Sequence, residues 1–260
     1  MLASPVELAY NDYGSGPPLI VLHGLFGSGR NWRHHAAQWA ATHHVYCLDM
    51  RNHGGSPWRD AMRYEDMAVD VVAFVEAHGL RDVTVLGHSM GGKTAMLTTL
   101  KNRGPVTRLV VVDIAPVDYA HSWLPEVEAM QSLGMDTITT RTQAGEQLRE
   151  RIPDETTRAF LLQNLVRKDG HLEWRINLPA IAAHMAELTG FPEVGDATFA
   201  GRAAFIHGAG SDYVAAQHRA RISELFPRAV VTAVEGAGHW VHADQPQAFG
   251  DAVRRFLHEQ

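Results

Sequence analysis

Apolar residues along the chain recur in two rhythms. Continuous apolar runs occur at PLIVLHG (18–24), HHVYCLDM (43–50), DVTVLGHS (82–89) and TRLVVVDIAP (107–116), and again at RAAFIHGAG (202–210) and RAVVTAVEGAG (228–238). Runs this rich in branched side chains predict strands buried on both faces, as in a parallel sheet. VELAY (6–10) alternates instead and predicts a half-buried strand, turned into the next run by GSGPP (14–18). Helical spacing lies between the runs: in YEDMAVDVVAFVEAHG (64–79), Met67, Val71, Phe74 and Val75 share one face and Gly79 stops the pattern. Strand and helix in alternation predict a doubly wound α/β sheet.

The alternation breaks at residues 116–197. That stretch reads as an all-helical insertion over one end of the sheet, with DETTRAFLLQNLVRK (154–168) as one helix and a small turn at KDGHLEW (168–174). Residues 1–115 and 198–260 then form the core. Asp244, Pro246 and Gln247 predict the cap and first turn of a final helix.

Composition removes several classes. With 45% hydrophobic and 20% charged residues in 260, the chain is an ordinary globular one. A net charge of −6 with no basic run argues against nucleic acid as a partner. No apolar stretch approaches the ~18 residues of a membrane span, and the first residues lack the pattern of a leader, so a cytoplasmic protein is expected. Cys47 is the single cysteine and reads as a small core residue, which excludes an internal disulfide and is compatible with a reducing compartment.

Chemistry concentrates around Gly87-His88-Ser89-Met90-Gly91. In isolation G-x-S-x-G is weak, but here it ends a predicted strand and opens a predicted helix running to about Arg103. Such a strand-turn-helix holds a serine exposed above a helix N-terminus, where developing negative charge is favoured. Serine is a poor nucleophile without a base. His239, in the Gly-rich loop after the last strand, fits that role better than His242, which reads as a packing or capping residue. The histidines at 34, 35, 43 and 44 read as helix or loop surface. No H-E-x-x-H spacing occurs, so no metal site is expected. Asp113 and Asp212 both end strands and both can be drawn beside His239, so the residues alone leave the acid open. The N–H groups of Leu25 and Met90 are the candidate oxyanion donors.

Taken together, LHGLFGS (22–28), DMRNHGGS (49–56), GHSMGGK (87–93), VDIAPVDY (112–119), EWRINL (173–178) and GAGHWVHAD (236–244) resemble the α/β-hydrolase superfamily, and closely its YbfF-type esterases. The resemblance spans nearly the whole chain. It implies a mostly parallel eight-stranded sheet, a helical lid, no cofactor, and hydrolysis of small to medium acyl esters or thioesters. It favours Asp113 as the acid, because Ser211 stands where the wider superfamily carries its aspartate and Asp212 falls one residue late. Asn52 departs from the glycine of many relatives in a way shared with that subgroup, and Asp49 and Arg51 read as ordering the loop beside the site. Lactonase chemistry, or a slow ligand-binding receptor, would fit the same residues. Phe26, Trp123, Phe160 and Trp174 are candidates for the substrate pocket, with Leu124, Met130, Leu161, Leu165, Met185 and Phe191 more weakly so.

Overall fold

The computed structural model describes residues 4–101 and 104–259. Seven strands form the main sheet: β1 (Tyr10–Tyr13), β2 (Pro18–Leu22), β3 (His44–Leu48), β4 (Val83–His88) and β5 (Val106–Val112), then β8 (Arg202–Gly208) and β9 (Ala229–Val234). Their order is β1-β3-β2-β4-β5-β8-β9, with β1 antiparallel to β3 and every other pairing parallel. The register aligns the carboxyl ends of the central strands, pairing Leu22 with Gly87, His88 with Val112 and Val112 with Ile206. Loops leaving these ends therefore converge on one edge, where open α/β sheets carry their sites.

Among the described residues the main sheet has seven strands where the resemblance implied eight, and the strand expected at VELAY begins only at its last residue, Tyr10. Val6 and Leu8 are buried and Glu7 is exposed, so the alternation correctly reports which side chains point inward. The N–H groups before Tyr10 bond to side chains, Val6 to Asp70 (2.8 Å) and Ala9 to Ser56 (2.9 Å), and only the Ala9 carbonyl, which accepts from Asp49 N–H (2.8 Å), continues the pairing beside β3. Period-two burial measures facing, not ladder pairing.

Helices cover both faces. On one, α1 (Arg33–Trp39) and the last helix, α11 (Pro246–His258), bury Trp39, Phe249, Val253 and Leu257 against β2, β3 and β8. On the other lie α2 (Tyr64–Ala77) and α3 (Met90–Lys101), with all four predicted face residues of α2 buried and Gly79 left-handed (φ 60°) just past its end. The predicted end of α3 at Arg103 lies outside the described residues. A short helix, α9 (Arg219–Leu225), joins β8 to β9, and α10 (Val241–Asp244) precedes α11. Asp244 does not cap α11. Its carboxylate accepts from Gly238 N–H (2.8 Å), bracing the loop that carries His239, while Gln245 holds the cap position.

Between β5 and β8 run α4 (Leu124–Gln131), α5 (Arg141–Leu148), α6 (Glu155–Leu162), α7 (Leu178–Ala183) and α8 (Met185–Thr189). The all-helical expectation fails at one point. β6 (Leu165–Lys168) and β7 (His171–Trp174) form an antiparallel hairpin, so α6 ends six residues earlier than the apolar pattern suggests. Asp169 (φ 49°) and Gly170 (φ 88°) make its two-residue turn, the left-handed pair that a tight hairpin requires. No helix of the described residues is long and apolar enough to cross a membrane.

Candidate active site

Ser89 sits where β4 turns into α3, with a left-handed backbone (φ 52°) that a non-glycine residue adopts only when its surroundings enforce it. The glycines on either side are required by crowding. A Cβ on Gly87 would overlap the Gly91 carbonyl, and one on Gly91 would lie 2.5 Å from the Leu22 carbonyl oxygen. Ser89 N–H donates to Val112 O (3.1 Å), which locks the turn to β5. Met90 opens α3, so its N–H has no partner within the helix.

The loop carrying Leu25 is held by two buried histidines. Met50 N–H donates to His23 Nε2 (2.9 Å), leaving Nδ1–H to donate to the Gly24 carbonyl (2.8 Å). Phe26, itself left-handed (φ 64°), donates its N–H to His53 Nε2 (3.2 Å), and His53 Nδ1–H donates to Arg51 O (3.0 Å). Burial pushes the His53 pKa down to about 3 and lowers that of His23, so both stay neutral acceptors. Asp49 accepts from Gly29 and Gly55 N–H (2.7 Å each), and fully buried Arg51 forms a two-pronged pair with Asp70 (2.6 and 2.7 Å). Asn52 is left-handed (φ 66°), the reason glycine suits that place, and its backbone and side-chain oxygens take the two N–H groups of Asn177 (3.0 and 3.1 Å). Asn164 likewise donates to Phe26 O (2.7 Å). The segment at 116–197 is thus tied to the loops around Ser89.

His239 projects from the loop after β9, and its Nδ1 lies 2.7 Å from Asp113 Oδ2. Asp113 is fully buried and left-handed (φ 49°) at the end of β5; its Oδ1 accepts from Gly208 N–H (2.9 Å) and its Oδ2 from Ser211 Oγ (2.5 Å). Asp212 is exposed on the same loop as Ser211, and the contact with His239 is made by Asp113. Tyr213 stacks on the His239 ring (centroids 4.2 Å apart), and His88 Nε2–H donates to the His239 carbonyl (2.9 Å). His242 meets no carboxylate of a described residue: it is half-buried at the edge of the same cavity, stacks on Trp32 (4.5 Å), and desolvation drives its pKa to about 3. His35 and His43 are buried rather than surface residues, because Trp39 and the sheet cover them; His35 stacks on Trp39 (5.4 Å) and its Nε2–H donates to His242 O (2.9 Å).

Ser89 opens onto two small cavities. One, of about 30 Å³, is walled by Gly24, Phe26, Trp123, Phe160, His239 and Trp240. Through Phe160 and Trp240, whose rings lie 5.5 Å apart, it adjoins a wider groove of about 730 Å³ between α6 and α10. The other, of about 40 Å³, holds Leu25, Ser89 and Met90 together with Tyr64, Lys93 and Tyr119. Of the sequence candidates, Phe26, Trp123 and Phe160 meet at the first cavity, and Met185 at the second. Trp174 does not line either: it pairs with Leu165 in the hairpin and packs on the apolar core, as its position on a strand face dictates. Met130, Leu161 and Leu165 pack the intervening segment itself. Trp240, Tyr64, Tyr119, Tyr213 and Lys93 escaped sequence reasoning. Trp240, adjacent to His239, was the one with a local signal.

With β-strands ordered around a serine elbow and a histidine loop, this is the α/β-hydrolase architecture, and the chain belongs to the alpha/beta hydrolase family, whose model matches residues 19–252. It is 40% identical over 263 residues to the sn-1-specific diacylglycerol lipase ABHD11 of Xenopus laevis, covering 97% of this chain and 84% of that protein. It is 36% identical over 254 residues to esterase YbfF of Escherichia coli K12, covering 97% of each. The solved structure of a marine microorganism esterase superposes with a TM-score of 0.94 at 38% identity, over 97% of this chain and 100% of that one.

Proposed function

We propose that the chain is a serine carboxylester hydrolase that acts on small to medium acyl esters through an acyl-enzyme intermediate. The observation that carries the reading is the 2.7 Å contact between buried Asp113 and His239, beside a strained serine in the same cavity. The relatives named as lipase and esterase support the ester class. In the first step neutral His239 takes the proton of Ser89 as Oγ attacks the acyl carbon. The N–H groups of Leu25 and Met90 receive the developing oxyanion. Asp113 fixes the imidazole tautomer and stabilises the imidazolium, which then protonates the departing alcohol. Water repeats the sequence on the acyl-enzyme and frees the acid. Residues 116–197 serve as a lid: Phe160 and Trp123 come from it to wall the cavity, and its asparagines 164 and 177 fix it over the site.

Steady-state hydrolysis of p-nitrophenyl esters from acetyl to palmitoyl, with wild type and Ser89→Ala side by side, tests this. The variant should lose on the order of 10⁴-fold or more in turnover, because such triads act as a unit. Near-normal turnover by Ser89→Ala would remove the assignment.

A further inference from the structure

Lys93 follows Ser89 by four residues and shares its face of α3. Helical side chains lean toward the helix N-terminus, so the Lys93 stem runs back toward the turn that bears Ser89 and Met90. The residue is 1% exposed. Its ammonium donates to the carbonyls of Thr189 (2.8 Å) and Gly190 (2.5 Å) and lies 4.8 Å from the Tyr119 ring centroid and 5.7 Å from that of Tyr64. No carboxylate of a described residue reaches ion-pair distance. Asp118 acts on it only at longer range, with Oδ1 engaged by the Phe191 N–H (2.7 Å). Buried ammonium groups are ordinarily paired, and among the described residues this one has no carboxylate in contact.

The other polar groups around it are occupied. Tyr64 OH donates to Leu188 O (2.8 Å); Tyr119 OH donates to Tyr213 O (2.6 Å) and accepts from Ala115 N–H (2.8 Å). Burial raises the pKa of both phenols and of Tyr213, which keeps them neutral. His121 is the remaining titratable group on the cavity wall. The volume of about 40 Å³ beside Ser89, Leu25 and Met90 matches a short chain, roughly four or five bonded heavy atoms beyond an ester carbonyl.

We propose that this cavity is the acyl subsite and that Lys93 makes it selective for short acyl groups ending in a carboxylate, the half-esters of malonic and succinic acids. The proposal rests on the serine-esterase reading above. The substrate carboxylate supplies the counter-charge that the fold withholds, and the ester carbonyl then falls between Ser89 and the two N–H donors. Burial lowers the Lys93 pKa to about 7, so the ammonium that recognises the carboxylate is present below that pH and lost above it.

The test compares kcat/KM for ethyl hydrogen succinate with that for ethyl 4-methylpentanoate, its shape-matched neutral partner, by pH-stat titration. The half-ester should be favoured tenfold or more at about pH 6, given the strength of charge-assisted hydrogen bonds. The ratio should fall toward one by about pH 9, as the ammonium deprotonates while the substrate carboxylate stays ionised. Any pH dependence of the serine chemistry itself is common to both esters and cancels in the ratio. In Lys93→Met the ratio should be one or less at every pH. Because that variant removes a buried tether, the ratio is read within each protein, and the wild-type pH profile is a second, independent readout. A ratio near one at low pH in wild type, or a preference that survives in Lys93→Met, overturns the proposal. If wild type cleaves the neutral ester in a Ser89-dependent way without preferring the half-ester, only the Lys93 assignment falls. If it cleaves neither, the esterase reading falls and takes this one with it.

Discussion

The two faces of the loop at 236–244 treat the same side-chain type in opposite ways. His239 meets the Asp113 carboxylate at 2.7 Å; His242, three residues on and equally half-buried, lies between Trp32 and His88 with no carboxylate of a described residue in ion-pair contact. The first environment offers a carboxylate partner and the second offers aromatic rings. In the proposed mechanism the first ring exchanges a proton while its neighbour acts as an aromatic spacer, and the difference is made by what each touches.

Removing the carboxylate should erase that distinction. Asp113→Asn leaves the geometry but withdraws the charge, and turnover should fall on the order of 10⁴-fold. Asp212→Asn should change turnover only a few-fold. A severe loss confined to Asp212→Asn would reassign the acid. The second way to sharpen the comparison is acid. His53 and His242 have folded pKa values of about 3 against 6.5 unfolded, so the unfolded chain takes up their protons first. Stability is whole above pH 6.5 and declines as pH falls toward 3, by about 2 kcal/mol for each of the two at pH 5. Urea midpoints at pH 7 and pH 5 measure it, and equal midpoints would contradict the neutral state of these rings. The smallest effect is expected from His242→Ala. Loss of a half-buried, stacked ring should cost about 2 kcal/mol in urea unfolding, with turnover reduced less than tenfold. A collapse of turnover in this variant, with little loss of stability, would make His242 a participant in the chemistry.

The same contrast explains what was legible in the residues. Strands of the main sheet announce themselves because both faces are buried, so PLIVLHG or TRLVVVDIAP cannot be mistaken for surface. The elbow at Ser89 and the loop at His239 are legible because glycines are forced there by close approach. Between the two acids the residues were silent, and a family likeness pointed to the one that meets His239. Elsewhere local pattern misleads. DETTRAFLLQNLVRK has helical spacing throughout, yet the left-handed Asp169-Gly170 pair converts its end into a hairpin. Asp244 looks like a cap for α11 and instead holds Gly238. His35 and His43 look like surface because polarity says nothing of the tryptophan and sheet that cover them. Lys93 gave no signal at all, since a lysine in an amphipathic helix is ordinarily a solvated one, and only the fold reveals that α8 closes over it.

One consequence concerns how such a molecule can change over time. Asp113 follows directly after Val112, whose carbonyl binds the Ser89 N–H, so serine and aspartate are spaced by a single rung of the sheet. Among the described residues, the end of β8 and the loop after it bond that aspartate through Gly208 and Ser211, and positions 209, 210 and 212 are exposed. Substitutions at those three exposed positions can therefore accumulate without moving the carboxylate partner of His239 or Tyr213, which stacks on its ring. That frees this rim of the molecule to diversify while the spacing at its centre stays fixed by the strands.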